Sequence, residues 1–353
     1  MLKRATCLIA GFALAFGAGA ARAETIGLTI ASGQASGGLP LQQLVTKVFI
    51  PEATQRLKAA GVDVAWKEAY AGSLLKPFQV LDGIKDGVAE IGVVPVLLFA
   101  DKLPLENLNF MLPFVTNDPV LVVRVMRKVH AAIPEMPEQY DKFNQVILGG
   151  TAGDSYELLT TFPFRTVDDL KGRKIGAPPG ILPWLRGTGA TGVQSNMMEY
   201  YNSAKTGVYE GFIMIASSFP GMKYPEAAPY ITRTDFGAIY TVALTINKAA
   251  YAKLPDAAKK GLHEAGAIWG EEAAKAQAAA HDAGLKSIPG FKAQLYELPR
   301  AEQVRWAKMM PNIAKQWAEG LDKKGLPATK ALNLFMSELR AAGAKPARDW
   351  DKD

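Results

Sequence analysis

Two rhythms of apolar and polar positions take turns along this chain. "TIGLTIAS" from Thr25, "VDVAWKEAY" from Val62 and "FNQVILGGTA" from Phe143 place apolar side chains at alternate positions or in short runs, as strands do. "LPLQQLVTKVFIPEATQRLKAAG" from Leu39 repeats them at steps of three and four, the face of a helix that Pro51 either kinks or divides. "AGSLLKPFQVLDGIKDG" keeps helical spacing up to a glycine stop, "AEIGVVPVLLFA" from Ala89 reads as a buried strand, and "DPVLVVRVMRKVHAAIPEM" as a helix and turn.

The second half repeats the alternation. "YELLTT" from Tyr156 and "RKIGA" from Arg173 read as strands flanking a short helix, "TVDDLKG", with Thr166 as its N-cap. "LPWLRGTGA" from Leu182 and "NMMEYYNSAKTG", closing at Gly207, read as helices ended by glycine. "VYEGFIMIASS" is a strand, and "FGAIYTVALTINKAAY" runs from strand into helix. Strands and helices in such alternation predict an α/β fold with a parallel or mixed sheet. After Pro255 an Ala-rich stretch predicts one helix of about 30 residues, roughly 45 Å long, enough to brace two domains. The remainder from "RAEQVRWAKMM" is helical, and the charged end, residues 346–353, is expected to be a flexible tail.

Composition changes this picture at the N-terminus. Lys3 and Arg4 precede the apolar run "CLIAGFALAFGAGA", and "ARA" at Ala21–Ala23 supplies the small residues of a cleavage site. Residues 1–23 therefore read as a cleaved secretory signal, which places the mature chain in the periplasm. Cleavage would remove Lys3, Arg4 and Arg22, so the formal charge would fall from +6 to 6 − 3 = +3, too weak a bias for a nucleic-acid partner. It would also remove Cys7, the single cysteine, leaving the core alone to hold the fold. With 353 residues, 49% of them hydrophobic, that core has the material for two domains.

Chemistry-bearing motifs are scarce. His130, His263 and His281 are scattered, HExxH is missing, and no GxSxG elbow frames a nucleophile. "GTGATG" around Gly187–Gly192 lacks the Lys-Ser/Thr that a phosphate loop needs, and the pairs Asp168–Asp169 and Glu271–Glu272 fall on exposed helix faces. The reading is therefore of no enzyme, no cofactor and no metal site. An exported two-lobed α/β chain without catalytic groups suggests a protein that closes on a small molecule.

Longer segments sharpen this. "AGSLLKPFQVLDGIKDGVAEIGVVPVLLFADKLPLENLNFMLPF" resembles the first lobe of the substrate-binding subunits of tripartite ATP-independent periplasmic (TRAP) transporters, the dicarboxylate-binding family. "TVDDLKGRKIGAPPG…GTGATGVQSNMMEYYNSAKTGVYEGF" is similar to the family's run of "DLKG", strand, "lGa", "sEvY" helix and "tGvvDG", and "NKAAYAKLPDAAKK" to its next landmark. The order of these motifs spans Thr25 to Trp317. The resemblance implies a two-lobed solute-binding fold with mixed sheets, hinge strands and a long helix bracing both lobes. Lobe I is expected over 24–150 plus about 238–285, lobe II over 151–237 plus about 286–345. It also implies a small-molecule ligand and small and large membrane permease subunits as partners. The binding protein of an ABC importer shares this plan and is the alternative; the motif order favours the TRAP type.

The chain departs from the family where the resemblance places the ligand. After "DLKG" the family's strand carries an arginine that grips the ligand carboxylate; here Gly176 stands in its place. Tyr156 stands where many relatives have a second arginine, Met214 replaces an asparagine, and Met197 replaces a pocket-lining aromatic. Two explanations are open. Either an organic acid is held by other donors, such as Tyr156, Ser73, Gln34 or backbone amides, or the ligand is neutral, aromatic or cationic. In the second case Trp184, Phe212, Phe236, Tyr156 and Met197 would form a sandwich, with Glu210 or Asp154 nearby. Arg186 is a candidate replacement for the arginine, although its place on a helix favours solvation.

Overall fold

The structure is a computed structural model that describes residues 24–34 and 40–352, so the signal segment 1–23 lies outside the described residues. Eleven strands among these residues form two sheets. The first contains β1 (Glu24–Ala31), β2 (Val62–Ala69), β3 (Ile91–Pro95), β4 (Gln145–Gly153) and β10 (Ile239–Asn247) in the order β2-β1-β3-β10-β4. The second contains β5 (Tyr156–Thr160), β6 (Lys174–Ala177), β7 (Thr191–Gln194), β8 (Gly211–Ile215), β9 (Tyr230–Arg233) and β11 (Gln294–Glu297) in the order β11-β9-β5-β8-β6-β7. β1 runs parallel to β2 and β3, and β6 runs parallel to β7 and β8, while β10 and β5 run antiparallel to their neighbours β3 and β8. The mixed, two-sheet α/β architecture is the one the sequence predicts.

The chain passes between the sheets at Asp154–Ser155, from β4 into β5, and at Thr234–Ala238, from β9 into β10. A third crossing is the helix Asp256–Ser287, whose 32 residues make it about 48 Å long. It packs on β4 of the first sheet and on the turn Ala216–Ser218 after β8 of the second. Glycine makes this approach possible. A Cβ at Gly266 would meet the Leu148 carbonyl, one at Gly270 the Gly150 carbonyl, and one at Gly284 the Ala216 carbonyl. The helix axis can thus lie closer to both lobes than any side chain would allow.

Local chemistry accounts for several element boundaries. Pro51 neither breaks nor simply kinks its helix: Pro40–Leu44 and Ile50–Ala59 are joined by a π-helical turn, Val45–Phe49, which absorbs the hydrogen bond that proline cannot make. Thr166 caps its short turn as expected, with the Asp169 carboxylate accepting from the Thr166 N–H. Other elements differ from expectation. The apolar run after Ala89 is strand only to Pro95, then turns as a 3-10 helix over Val96–Phe99. "LPWLRGTGA" gives just one 3-10 turn, Leu182–Leu185, and "NMMEYYNSAKTG" is helical only over Tyr200–Lys205. The charged tail is packed rather than loose. Trp350 is fully buried and donates its indole N–H to the Pro113 carbonyl at 3.0 Å, while Arg340 pairs with Asp349 and Asp351. A single tryptophan with a waiting groove outweighs the polarity of its neighbours.

Candidate functional site

Strand direction locates the site. β10 starts at Ile239, next to one crossing, and runs antiparallel to β3, so β3 ends beside that crossing. β5 starts at Tyr156, next to the other, and pairs antiparallel with β8, whose last residue Ile215 lies opposite Tyr156. The carboxyl ends of the parallel strands in both sheets therefore point toward the junction of the lobes. In open α/β sheets the crevice beyond these ends is where ligands bind. A cavity of about 520 Å³ opens elsewhere, lined by Val123, His130, Gln145, Leu148, Tyr240 and Ala267. Those residues belong to the first sheet and the helices upon it, so hinge motion would not enclose it, and strand direction is the better guide.

On the first lobe, Gln34 follows β1 and Ser73 lies in the turn after β2. Hydrogen bonds from the Ala71 N–H to the Gln34 carbonyl (2.9 Å) and from the Gly72 N–H to the Ser32 carbonyl (3.1 Å) bring these two turns together. Gly33 has no room for a side chain, because Pro77 lies directly against its Cα. Ser73 is exposed and Gln34 half-buried.

On the second lobe the remaining candidates fall into two groups. Trp184 is fully buried, with Tyr156 perpendicular to it at 5.7 Å and Phe236 tilted against it at 5.1 Å. Its indole N–H donates to the Phe110 carbonyl at 2.8 Å, and its own carbonyl accepts from Trp306. Phe212, Met214 and Gly176 form the other group. Gly176 pairs with Phe212 across β6 and β8, and Phe212 and Met214 are two residues apart, so all three share one sheet face. Tyr156, paired with Ile215, is on the opposite face. The five residues expected to form one sandwich are thus split between two faces. Met197 is half-buried beside the second group, where its carbonyl accepts from the Tyr224 hydroxyl.

The space beside Gly176, where the resemblance puts an arginine, is filled. A Cβ built on Gly176 would lie 2.8 Å from the ring of Tyr209, a distance that real side chains do not adopt. Tyr209 is itself buried, its hydroxyl 3.1 Å from the Ser195 hydroxyl, which in turn donates to the Glu199 carboxylate at 3.2 Å. Around it Tyr200 stacks on Phe212 with ring centres 4.7 Å apart and planes 8° apart, and Tyr224 stands edge-on to Phe212 at 5.3 Å. Sequence reading missed Tyr200, Tyr209 and Tyr224. One signal was present, since a tyrosine in "TGVYEG" stands where the resembling motif has a small apolar residue, beside a glycine that replaces a large side chain.

The charged candidates are engaged elsewhere. Glu210 pairs with Arg173, whose hydrogen bond holds its carboxyl below the usual range. Asp154 accepts from the Ser217 N–H (3.0 Å), the Ser217 hydroxyl (2.7 Å) and the Gln277 amide (2.8 Å), and burial pushes its carboxyl up to about 6 against those bonds. Glu157 next to it is buried, accepting from the Thr234 and Asp235 N–H groups and facing His281 of the long helix at 3.1 Å. Both carboxylates therefore tie the crossings to the long helix. Arg186 is exposed. Among the described residues no group of three His, Cys, Asp or Glu is placed to hold a metal ion, and no helix is long and apolar enough to cross a membrane.

Comparison with known families decides the class. Residues 59–320 match the family of bacterial extracellular solute-binding proteins, family 7. The chain belongs to this family. Family members are binding proteins, and the fold is that of solved TRAP periplasmic solute-binding proteins. One from Desulfovibrio salexigens superposes with a TM-score of 0.78 at 21% identity, covering 90% of this chain and 96% of that one. Another, from Rhodoferax ferrireducens, was solved with copurified benzoate; it has a TM-score of 0.76 at 20% identity, over 90% of this chain and 98% of its own. A third, from Sulfitobacter sp. NAS-14.1, holds β-D-galacturonate and has a TM-score of 0.70 at 19% identity, over 88% and 99%. A curated solute-binding protein of Sulfitobacter sp. (strain NAS-14.1) is 33% identical over 141 residues, which are 38% of this chain and 40% of that relative's length.

Proposed function

We propose that this family member captures a small, ring-bearing organic solute in the crevice between its lobes and delivers it to the membrane permease subunits of a TRAP transporter. Export to the periplasm after removal of residues 1–23 is part of the same reading. The observation that carries the ligand class is the Tyr209 ring over Gly176, which occupies the space of a carboxylate-gripping side chain. Small dicarboxylates owe their affinity to such charged forks. A flat ring gains instead from aromatic and methionine surfaces, here those of Phe212, Met197 and Met214 on the Gly176 face of the second sheet. Gln34, Ser73 and Tyr156 supply hydrogen-bonding groups at the same strand ends. The structural relative with bound benzoate fits this class.

The lobes would close by rotation at Asp154–Ser155 and Thr234–Ala238, and ligand shifts the balance only through contacts that the open form lacks. Thermal melting of residues 24–353 with succinate, β-D-galacturonate, benzoate, 3-hydroxybenzoate and 3-hydroxybenzamide tests the reading. A ligand at about 100 times its Kd adds roughly 2.7 kcal/mol, a shift of a few degrees. 3-Hydroxybenzamide, or one of the two aromatic acids, is expected to give that shift and succinate none. A shift by succinate alone, or by no compound, would overturn it.

A further inference from the structure

One buried hydroxyl in the candidate site has no partner. Tyr200 opens the helix Tyr200–Lys205 and is fully buried, yet its hydroxyl meets no hydrogen-bonding atom among the described residues. The ring cannot easily turn to find one. It is stacked on Phe212 and flanked edge-on by Tyr209 at 6.2 Å and Tyr224 at 6.0 Å. The hydroxyls of those neighbours are engaged, Tyr209 with Ser195 and Tyr224 with the Met197 carbonyl. A buried hydroxyl without a partner is costly, and native proteins rarely keep one unless something absent from the chain itself completes it. The position suits such a completion. The helix follows the loop at the carboxyl end of β7 and lies over β8, whose carboxyl end points to the lobe junction.

We propose that the Tyr200 hydroxyl is the polar anchor for the bound solute, and that the solute is an uncharged ring compound bearing the hydroxyl or carbonyl group that meets it. This deepens, and rests on, the interlobe reading above. The absence of charge follows from the surroundings. The titratable groups whose fields reach Tyr200 are the Tyr156, Tyr209 and Tyr224 phenols and the Glu199 carboxylate. Among the described residues no lysine or arginine stands over the face of these rings. A carboxylate placed here would lose its water, gain no cation and face Glu199. An uncharged carbonyl or hydroxyl meets no such penalty and satisfies the one open donor.

Three proteins and two probes test this: the unaltered chain, Tyr200→Phe and Tyr201→Phe, each titrated calorimetrically with 3-hydroxybenzamide and 3-hydroxybenzoate and melted without ligand. Tyr201 is the control, since its hydroxyl already donates to Glu226 at 3.1 Å. The unaltered chain is expected to bind the neutral amide more tightly than the acid. Tyr200→Phe should weaken amide binding about tenfold, the loss of one hydrogen bond in a buried site, while Tyr201→Phe leaves it unchanged. Without ligand, Tyr200→Phe should melt at the same temperature or higher, because it removes an unsatisfied group. A lower melting temperature would mean that the hydroxyl is paired within the protein, and equal amide affinity would mean that the solute does not touch it; either overturns the proposal. Tighter binding of the acid, or binding of neither probe, overturns the uncharged class, while the interlobe reading fails only if succinate alone, or no compound of the wider panel, moves the melt.

Discussion

At the scale of single residues the exchange between Gly176 and Tyr209 is the defining feature. Gly176 on β6 carries no side chain, and the Tyr209 ring from the segment before β8 takes the space that a Cβ would need. Gly176→Ala should therefore destabilise the protein by about 1–3 kcal/mol, the usual cost of overpacking a filled core. Combining it with Tyr209→Val should recover part of that loss, because the ring that blocks the Cβ is gone. Urea unfolding of the two single variants and the double variant measures the coupling. Strict additivity would show that the ring does not occupy this space.

At the scale of elements the long helix shows how context reverses a propensity. Replacing glycine by alanine inside a helix ordinarily gains about 0.5–1 kcal/mol. Gly320, exposed on the helix Ile313–Asp322 with nothing near its Cα, should follow that rule. Gly284, pressed against the Ala216 carbonyl, should break it, since backbone cannot step aside as a side chain can. Gly320→Ala is expected to melt above the unaltered protein and Gly284→Ala below it. If both rise, the helix does not lie against the turn after β8 as described.

At the scale of the whole molecule the crossings and the long helix share a buried polar network that should respond to pH. Asp154, facing Ser217 and Gln277 with His281 nearby, holds its proton up to about 6, because burial outweighs its hydrogen bonds. The folded state thus binds that proton more tightly than the unfolded chain does. Its contribution is present below the ordinary carboxylate range and lost as pH rises from about 4 to about 6, on the order of 3 kcal/mol in total. His281 adds to the same direction above its ordinary value: burial opposes its charge, but the hydrogen bond it donates to Glu157 prevails and raises it. The share of stability due to Asp154, read as the difference between the unaltered protein and Asp154→Asn in denaturant unfolding from pH 4.5 to 7, should therefore decline as pH rises. An equal slope in the variant would place the titrating group elsewhere.

The sequence by itself determined what periodicity and local chemistry encode. The alternation of strand and helix, the Thr166 cap, the long Ala-rich helix and the order of motifs led to the two-sheet fold and the family without any contact being known. What sequence could not decide was everything that depends on which strands become neighbours. Strands β7, β9 and β11 are four residues each, too short for a period to register, and exist because sheet partners complete them. Trp350 sits in a run of charges and is buried by a groove formed more than 200 residues earlier in the chain, at Pro113. Tyr209 and Gly176 meet only because β6 lies beside β8, and Tyr200 is left with an open hydroxyl only because three rings hold it in place. Local patterns fix elements, since a residue's period is set by its neighbours along the chain; the site was fixed by sheet order and packing, which bring distant residues together.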